Sequence, residues 1–590
     1  MKYDIVIVTY NSARWLPGCV AALAKANYPL EELNLIFADN ASQDNTLAVL
    51  QTLQGQYPAF GGFQVLPQGK NGGFSAGCNA GARAGEAPLL FFLNADTEVE
   101  QQVFIELDKG VAAHPEAGGF ECRQLPFETG HHINPVTLET TWASGAALVV
   151  RRTAFHAVGG FDEHLFLYCE DVDLSWRLRA AGYTLLYMPH AEVTHFSYEK
   201  EGQGAAAKLG EYAGGFYGNL LLRYKFGRFK DIAAGHAMYL GALRRPRHFN
   251  GVRRVLAKNY LRHFIKLWPF LFWRVFHRRQ FLAGTANFKG GFSPDRGLYH
   301  VSRPQRTPLV SVVVRTCGRP ATLRETLTSL AHQTYRNFEV IVVEDGPPAS
   351  RQMLEEEFAG LPLHYYATGQ KAGRARVGNL GLEKAKGEYC NFLDDDDYFY
   401  PDHIELLVAE AVAHPEAGLV TAASMAMEAE VVQKVPYVLK TKAIYPMRYD
   451  RMDNFLLCQS CLMPIQSILF KRSLFLQYGG LNEALEGDED WSMWLKYFSV
   501  SPRIHNGRVD IPRATSLFVV PASREAARAR LAAYKKYEDA MLDDPGIQFT
   551  VTPRQMRQYY EGFMGDLRHL RQLGKLDAFL DGALEDEDKT

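Results

Sequence analysis

Four consecutive carboxylates follow an apolar run at Phe392-Leu393-Asp394-Asp395-Asp396-Asp397, and Tyr400-Pro401 closes the stretch. Side chains alternate faces along a strand, so adjacent acids can neither all hide nor all share one face. The run therefore reads as a strand ending in a turn, with like charges crowded at the strand's carboxyl end. Such crowding is costly unless a cation sits among them, and hard oxygen ligands suit Mg2+ or Mn2+. A solvated acidic turn is the plainer alternative. Two further acid pairs, Glu170-Asp171 and Glu489-Asp490 (the second followed by Trp491), each open an amphipathic helical stretch. A helix dipole favours acids at that end, and a carboxylate placed there can also take a proton from a hydroxyl within reach.

The elements that must hold these groups alternate strand and helix. Strands are predicted at Ile5–Val8, Asn34–Ala38, around Phe63–Leu66 and at Leu89–Leu93, with polar clusters at their carboxyl ends. Those clusters are Thr9-Tyr10-Asn11, Asp39-Asn40 and Asn94-Ala95-Asp96, and a glycine-rich turn, Asn71-Gly72-Gly73-Phe74, leads into a helix. This order argues an α/β fold with a doubly wound parallel sheet, in which ligands bind beyond the carboxyl ends of the strands. From Leu309 the order returns: a strand to Val314 before Thr316, a second ending at Asp345, a turn carrying Arg374 and Arg376, then the acidic run. Thr9 to Thr316 is an offset of 307, Asp39 to Asp345 of 306, Asp96 to Asp396 of 300 and Asp171 to Asp490 of 319. Even His114-Pro-Glu-Ala-Gly118 recurs as His414-Pro-Glu-Ala-Gly418. A repeat of this period is a duplicated domain.

In one order, twice, these motifs resemble the family-2 glycosyltransferases, inverting enzymes of the GT-A (Rossmann-like nucleotide-diphospho-sugar transferase) fold. The first copy, with Gly159-Gly-Phe-Asp-Glu163 and His195, resembles the rhamnosyltransferase or galactofuranosyltransferase branch; the second, with Gly479-Gly-Leu-Asn-Glu483, resembles the general type. The resemblance implies nucleotide-sugar donors, dTDP- or UDP-linked. It places Asp39 and Asp345 at the nucleotide and Thr9, Tyr10, Asn11, Thr316 and Asp395 beside them. Asn71, Gly72, Gly73, Phe74, Arg374 and Arg376 lie against the donor. Asn94, Asp96 and His195 in the first copy, and Asp394 and Asp396 in the second, are the implied holders of Mn2+ or Mg2+. Asp171 and Asp490 are the implied bases, with Glu170, Glu489 and Trp491 supporting them at the acceptor. The bland alternatives are a helix-capping Asp39, a structural His195 and a solvated Arg374–Arg376 loop. Asn94 brings an amide where a carboxylate is expected, so metal dependence is less firmly implied for the first copy.

The whole chain has 590 residues, a formal charge of −2, 47% apolar and 22% charged residues, ordinary values for a soluble chain of more than one domain. No signal peptide and no apolar run of membrane-spanning length is read at the sequence level, and the eight scattered cysteines fit reduced thiols, Cys458-Gln-Ser-Cys461 included. The charge is not evenly spread: between Asp231 and Asp295 there is no acidic residue, while Arg and Lys recur. Leu261, Phe264, Ile265, Trp268, Leu271, Phe272 and Val275 fall at helical spacing there, and Pro269 should interrupt the helix. A basic amphipathic segment with Trp and Phe on its apolar face suits a membrane interface; an interdomain helical bundle is the alternative, and no nucleic-acid signature accompanies the charge.

The expected architecture is thus a GT-A domain over 1–205, a basic helical connector over 206–304, a second GT-A domain over 305–523 and a helical extension with an acidic tail over 524–590. The expected function is a bifunctional transferase building a surface polysaccharide or lipid-linked glycan at the cytoplasmic face of a membrane. A single active copy beside a scaffolding one, and a sugar nucleotidyltransferase, are the competing readings. The last would normally show a glycine-rich basic loop after the first strand, where this chain has Thr9-Tyr-Asn11 and Thr316-Cys-Gly318.

Overall fold

The computed structural model describes residues 1–130, 133–196, 204–245, 251–281, 288, 297–434, 437–447, 463–485, 487–500, 504–506, 514–521, 547 and 557. The helices expected after Arg524, the acidic tail and the Cys458–Cys461 pair lie almost wholly outside the described residues.

The first copy runs β1 (Tyr3–Thr9), α1 (Leu16–Ala24), β2 (Leu33–Asp39), α2 (Thr46–Gln56), β3 (Gly62–Pro67), α3 (Phe74–Ala84), β4 (Leu89–Leu93) and β5 (Thr97–Val99). It continues α4 (Val103–Ala113), β6 (Ala117–Leu125), β7 (Phe127–Gly130), β8 (Ala147–Arg151), α5 (Arg152–Ala157), α6 (Glu170–Ala180) and β9 (Thr184–His195). The connector is α7 (Gly204–Phe226), α8 (Phe229–Arg244), α9 (Val252–Lys266), α10 (Trp268–Phe281) and β10 (Gly297–His300). The second copy opens β11 (Val310–Thr316), α11 (Pro320–Ala331), β12 (Phe338–Glu344), α12 (Arg351–Glu357), β13 (Leu363–Ala367), α13 (Arg374–Lys384), β14 (Tyr389–Asp394) and β15 (Tyr398–Phe399). It closes α14 (His403–Ala413), β16 (Leu419–Thr421), β17 (Ala423–Lys434), β18 (Tyr437–Met447), β19 (Ile468–Lys471), α15 (Arg472–Tyr478), α16 (Glu489–Val500), β20 (Ile504–Asn506) and β21 (Ala514–Pro521).

The duplication is topological as well as sequential. The first sheet is ordered β3-β2-β1-β4-β8-β6-β9-β5 and the second β13-β12-β11-β14-β19-β16-β20. Each is parallel from β3 to β4, or β13 to β14, and the next strand out, β8 or β19, is antiparallel. The sheets are therefore mixed, where the sequence pattern suggested parallel ones; a buried run such as Ala-Leu-Val-Val at β8 carries no mark of its direction. Both faces are covered, which is why alternation is absent from β1: Tyr3, Ile5 and Ile7 enter one core and Val6 the other. The site-bearing edge is where the strand order reverses, at the carboxyl ends of β1 and β4, and of β11 and β14.

The connector packs its inner side on the first copy. Leu221, Leu222 and Phe226 of α7 join Trp176 and Leu165 in one core cluster, and the buried Lys225 reaches Asp162 and Asp173 at 2.6 and 2.5 Å. The helix interrupted at Pro269 is two helices, α9 and α10, as expected from a proline within the first turn. Their outer side stays exposed, with Leu261 at 69%, Ile265 at 75% and Phe276 at 80% of full accessibility.

The two copies also meet directly. Arg123 on β6 is wholly buried and donates to Glu128 (3.3 Å), Glu192 (3.0 Å) and, across the copies, Glu405 of α14 (2.7 Å). Leu125, Val301 and Leu406 form a small core beside it, and His332, just past the end of α11, lies 3.1 Å from the carbonyl of Pro135.

Candidate active sites

Each copy delivers its acid pair on a helix entered through a left-handed residue. Cys169 (φ 72°), just before α6, and Asp488 (φ 57°), just before α16, hold a conformation that side chains resist. In the first copy α7 backs this turn: a Cβ on Gly218 would lie 2.7 Å from Cys169 Sγ, and one on Gly214 2.3 Å from Tyr168. The strain is thus braced by the connector, and it aims the first turn of α6 at the sheet edge.

Facing that turn is the start of α3. Gly73 (φ 91°) and Gly373 (φ 92°) lead into α3 and α13 alike, and a Cβ on Gly73 would fall 2.4 Å from the Phe166 carbonyl. Asn71 accepts from Gly73 N at 3.0 Å and so shapes its own turn. Further along each helix an asparagine clamps it to the Gly-Gly loop. Asn79 donates to the Phe161 carbonyl and Glu163, and Asn379 to the Leu481 carbonyl and Glu483. Gly145 completes the first crevice: its N–H donates to Asp171 Oδ2 at 3.1 Å, and a Cβ there would touch both Asp171 and Phe74 at 3.4 Å. Base candidate and glycine-rich turn therefore share one spot.

Both base candidates are half-buried. Asp171 is raised above the usual carboxylate range by burial, against the pull of the Gly145 and Val172 N–H groups. Burial and Asp171 push Glu170 well up, and its Oε2 is buried with no hydrogen-bond partner among the described residues. Asp490 is pushed to about 7 by burial and by Glu489, with Arg315 opposing. A carboxylate that gains a proton near neutrality is matched to general-base work.

The nucleotide end needs a correction. Thr9 pairs with Asp39 in the first sheet, and Thr316 with Glu344 in the second. Asn40 N donates to the Thr9 carbonyl and Asp345 N to the Thr316 carbonyl, both at 2.8 Å. Asp39 thus corresponds to Glu344, and Asp345 to Asn40; matching by residue type slips the pairing by one. Asp39 is fully buried, taken up by Thr9 Oγ1, Ser42 N and Ser42 Oγ, and Glu344 by Gly318 N, Ser350 and Tyr365. These acids brace the loops. The residues facing the glycine turn are Asn40, which donates to the Gly73 carbonyl at 3.0 Å, and Asp345, which accepts from Ala372 N at 2.6 Å and Gly373 N at 3.2 Å. Sequence reasoning misses Asn40 because its neighbour is the acid. Asn11 (φ 53°) is tied to Ser42 and Gln43, and Tyr10 is exposed above it.

The metal candidates divide. In the first copy His195 is the last residue of β9. His195 Nε2 is 3.5 Å from Asp96 Oδ1 and 3.4 Å from the Asn94 amide, while Nδ1 meets Gln124 Oε1 at 3.0 Å. With Nδ1–H given to Gln124, Nε2 keeps its lone pair toward the Asn94 amide and Asp96 Oδ1, so an imidazole nitrogen, an amide and a carboxylate meet at one point, ligand types that a divalent cation takes. This set fits a divalent cation.

The second copy does not fit one. Arg315 binds Asp394 with two parallel hydrogen bonds of 2.7 and 2.9 Å and donates to Glu489 at 2.9 Å. Arg319 binds Asp395, itself pushed to about 7 by burial, and Asp396 at 3.0 Å. Burial raises Asp394, but Arg315 outweighs it and the net shift is down. Three acids of the run therefore already have their oxygens taken by guanidiniums, so the expectation that its crowding calls for an external cation does not hold. Thr316 Oγ1 donates to Asp395 at 2.6 Å. Arg374 stands 3.9 Å from Glu489, whereas Arg376 turns away to Glu383 and Glu483. Trp491, behind Asp490, is buried in the core and not at the crevice.

The family model "Glycosyl transferase family 2" matches residues 4–167 and 311–478. An N-acetylglucosaminyl-diphospho-decaprenol L-rhamnosyltransferase of Mycobacterium tuberculosis is 31% identical over 251 residues, 35% of this chain and 79% of that protein. An uncharacterized glycosyltransferase of Haemophilus influenzae is 29% identical over 188 residues, 32% of this chain and 61% of that protein. A mannosyltransferase structure from Pyrobaculum calidifontis, in complex with GDP-Man and Mn2+, is similar at a TM-score of 0.31 and 14% identity, over 47% of this chain and 87% of that one. The chain belongs to glycosyl transferase family 2, with two tandem family domains. It is a glycosyltransferase that draws on nucleotide-sugar donors.

Proposed function

We propose that both copies transfer sugar, by inversion, onto a growing lipid-linked or surface glycan, and that they make two different linkages. The observation that carries this is the repeated one: each copy sets a half-buried aspartate, Asp171 or Asp490, at a helix start beside the glycine-rich turn of its own crevice. The acceptor hydroxyl lies against that carboxylate. Its oxygen bonds to the anomeric carbon as the bond from that carbon to the donor diphosphate breaks, and the proton passes to the aspartate. The surroundings of Asp171 and Asp490 raise their proton affinity, so each holds the proton it takes. In the first copy Asn94, Asp96 and His195 would hold Mn2+ or Mg2+, which neutralises the leaving diphosphate when bound. Asn40 and Asp345 take the nucleotide.

The acceptor class is favoured by two features. The M. tuberculosis relative is named for a decaprenyl-diphosphate acceptor. The exposed apolar side of α9 and α10 also carries Trp268 and Phe272 among Arg253, Arg254, Lys258 and Lys266, which suits an anionic membrane surface. Among the described residues no helix is long and apolar enough to cross a membrane. Co-sedimentation with anionic and with neutral vesicles tests the docking; equal binding to both, or none, would remove it. For the chemistry, donors are screened with wild type, Asp171→Asn and Asp490→Asn. Two donors, each lost with one variant, is the expected result. A single donor that survives one of the variants refutes two working sites and leaves that copy a scaffold.

A further inference from the structure

Beside the exchanges of Asn40 for Asp345, Asn94 for Asp394 and Ala95 for Asp395, the two copies differ at three further corresponding positions at the donor end. Arg315 stands where the first copy has Val8, and Arg319 where it has Ser12, by the register that pairs Thr9 with Asp39 and Thr316 with Glu344. The third is His195. In the first copy Thr97 pairs with His195 and Glu98 with Thr194. In the second, Tyr398 pairs with Leu517 and Phe399 with Ser516, so the pair one step nearer the acidic run is Asp397 with Phe518. Phe518 therefore holds the place of His195. One copy has an imidazole and no guanidinium at these positions; the other has two guanidiniums and a phenyl ring.

These changes act in one direction. Arg315 is only 8% exposed and its fork covers both oxygens of Asp394 while it also holds Glu489. A divalent ion at Asp394 would have to strip that pair and then stand beside the arginine it displaced. Arg319 holds the next two acids, and a phenyl ring offers no lone pair where an imidazole ligand would be. We propose that the second copy works without a divalent cation, its own guanidiniums supplying the positive charge, and that the metal dependence of this chain belongs to the first copy alone. The anion it takes is the diphosphate of a nucleotide sugar, on the reading of the crevice given above. Arg319 and Arg374, each about half exposed at 49% and 50%, are the groups with room to turn toward it.

The test counts bound metal instead of turnover, so it stands whether or not either copy transfers sugar. Full-length protein is titrated with Mn2+ and the free ion is followed by electron paramagnetic resonance. One bound Mn2+ per chain is expected, lost in Asp96→Asn and in His195→Ala and kept in Asp396→Asn. Two ions per chain, no ion at all, or a single ion lost in Asp396→Asn would each overturn the proposal. Binding of UDP and of dTDP is then read by calorimetry on the Asp171→Asn protein in EDTA. Retention of one nucleotide by the second copy, abolished by Arg319→Ala with Arg374→Ala, is expected, and loss of all nucleotide binding in EDTA also overturns it.

Discussion

Replacing Arg123 should loosen the whole molecule. Its guanidinium is wholly buried and meets three carboxylates, of which Glu128, Glu192 and Glu405 are themselves only 5%, 19% and 10% exposed. Arg123→Ala takes away the shared counter-ion and leaves three acids in a dry interface. Tyr187 still serves Glu128, Thr334 serves Glu405 and Arg303 serves Glu192, so the loss is partial. Removing one side of a buried ion pair typically costs about 3–5 kcal/mol, a large part of the roughly 5–15 kcal/mol by which a domain is stable. Urea unfolding followed by tryptophan fluorescence measures the deficit. A double-mutant cycle with Glu405→Gln isolates the link between the copies, with a coupling of at least about 1 kcal/mol expected. A deficit below about 0.5 kcal/mol for Arg123→Ala, or zero coupling, would refute the view that this guanidinium joins the two halves.

Four other outcomes follow from the two sites. Burial and Glu489 lift Asp490 from 3.8 to about 7, so second-copy turnover should rise as pH increases through 7, and a flat rate from pH 5.5 to 8.5 would contradict the base assignment. The same shift makes the folded chain hold a proton that the unfolded chain has already released, so this group's contribution to stability, full below pH 3.8, falls away up to about pH 7; Asp490→Asn should flatten that part of the urea-stability profile. Gln124→Ala removes the hydrogen bond that Gln124 makes to His195 Nδ1 and should weaken Mn2+ binding about 10- to 100-fold without unfolding the chain, as read by the same paramagnetic titration. Gly73→Ala puts a Cβ 2.4 Å from the Phe166 carbonyl at φ 91°, which should cost about 2 kcal/mol or more and lower the first copy's Tm, whereas Gly55→Ala, with open space around it, should not.

The strands and the helix starts were legible because burial on both faces and the acids at Glu170 and Glu489 leave plain marks in sequence. β4 lies at Leu89–Leu93, where the apolar run alone placed it. Strand direction was not legible, because partner choice is decided far along the chain; the long β17–β18 pair was missed although it is local, Lys434 facing Tyr437. Arg123 shows the same limit: its partners are 5, 69 and 282 residues away, and nothing local distinguishes it from a surface arginine. Matching Asp39 to Asp345 follows letters, where the ladder follows register. Arg315 was within reach, since an offset of 307 sets it on Val8, but its meaning needed Asp394 and Glu489 brought to one point by two strands and a helix.

The matched asparagine clamps at Asn79 and Asn379 say something about ancestry. Two halves that bind the same carbonyl-and-glutamate pair, at the same step of the same helix, descend from one forebear that already had that latch. Since the fusion, the latch, the left-handed glycine and the paired acids have been inherited twice, while the charge at the donor end was rewritten. The chain thus records, side by side, which parts of this frame are heritable scaffold and which are the interchangeable chemistry mounted on it.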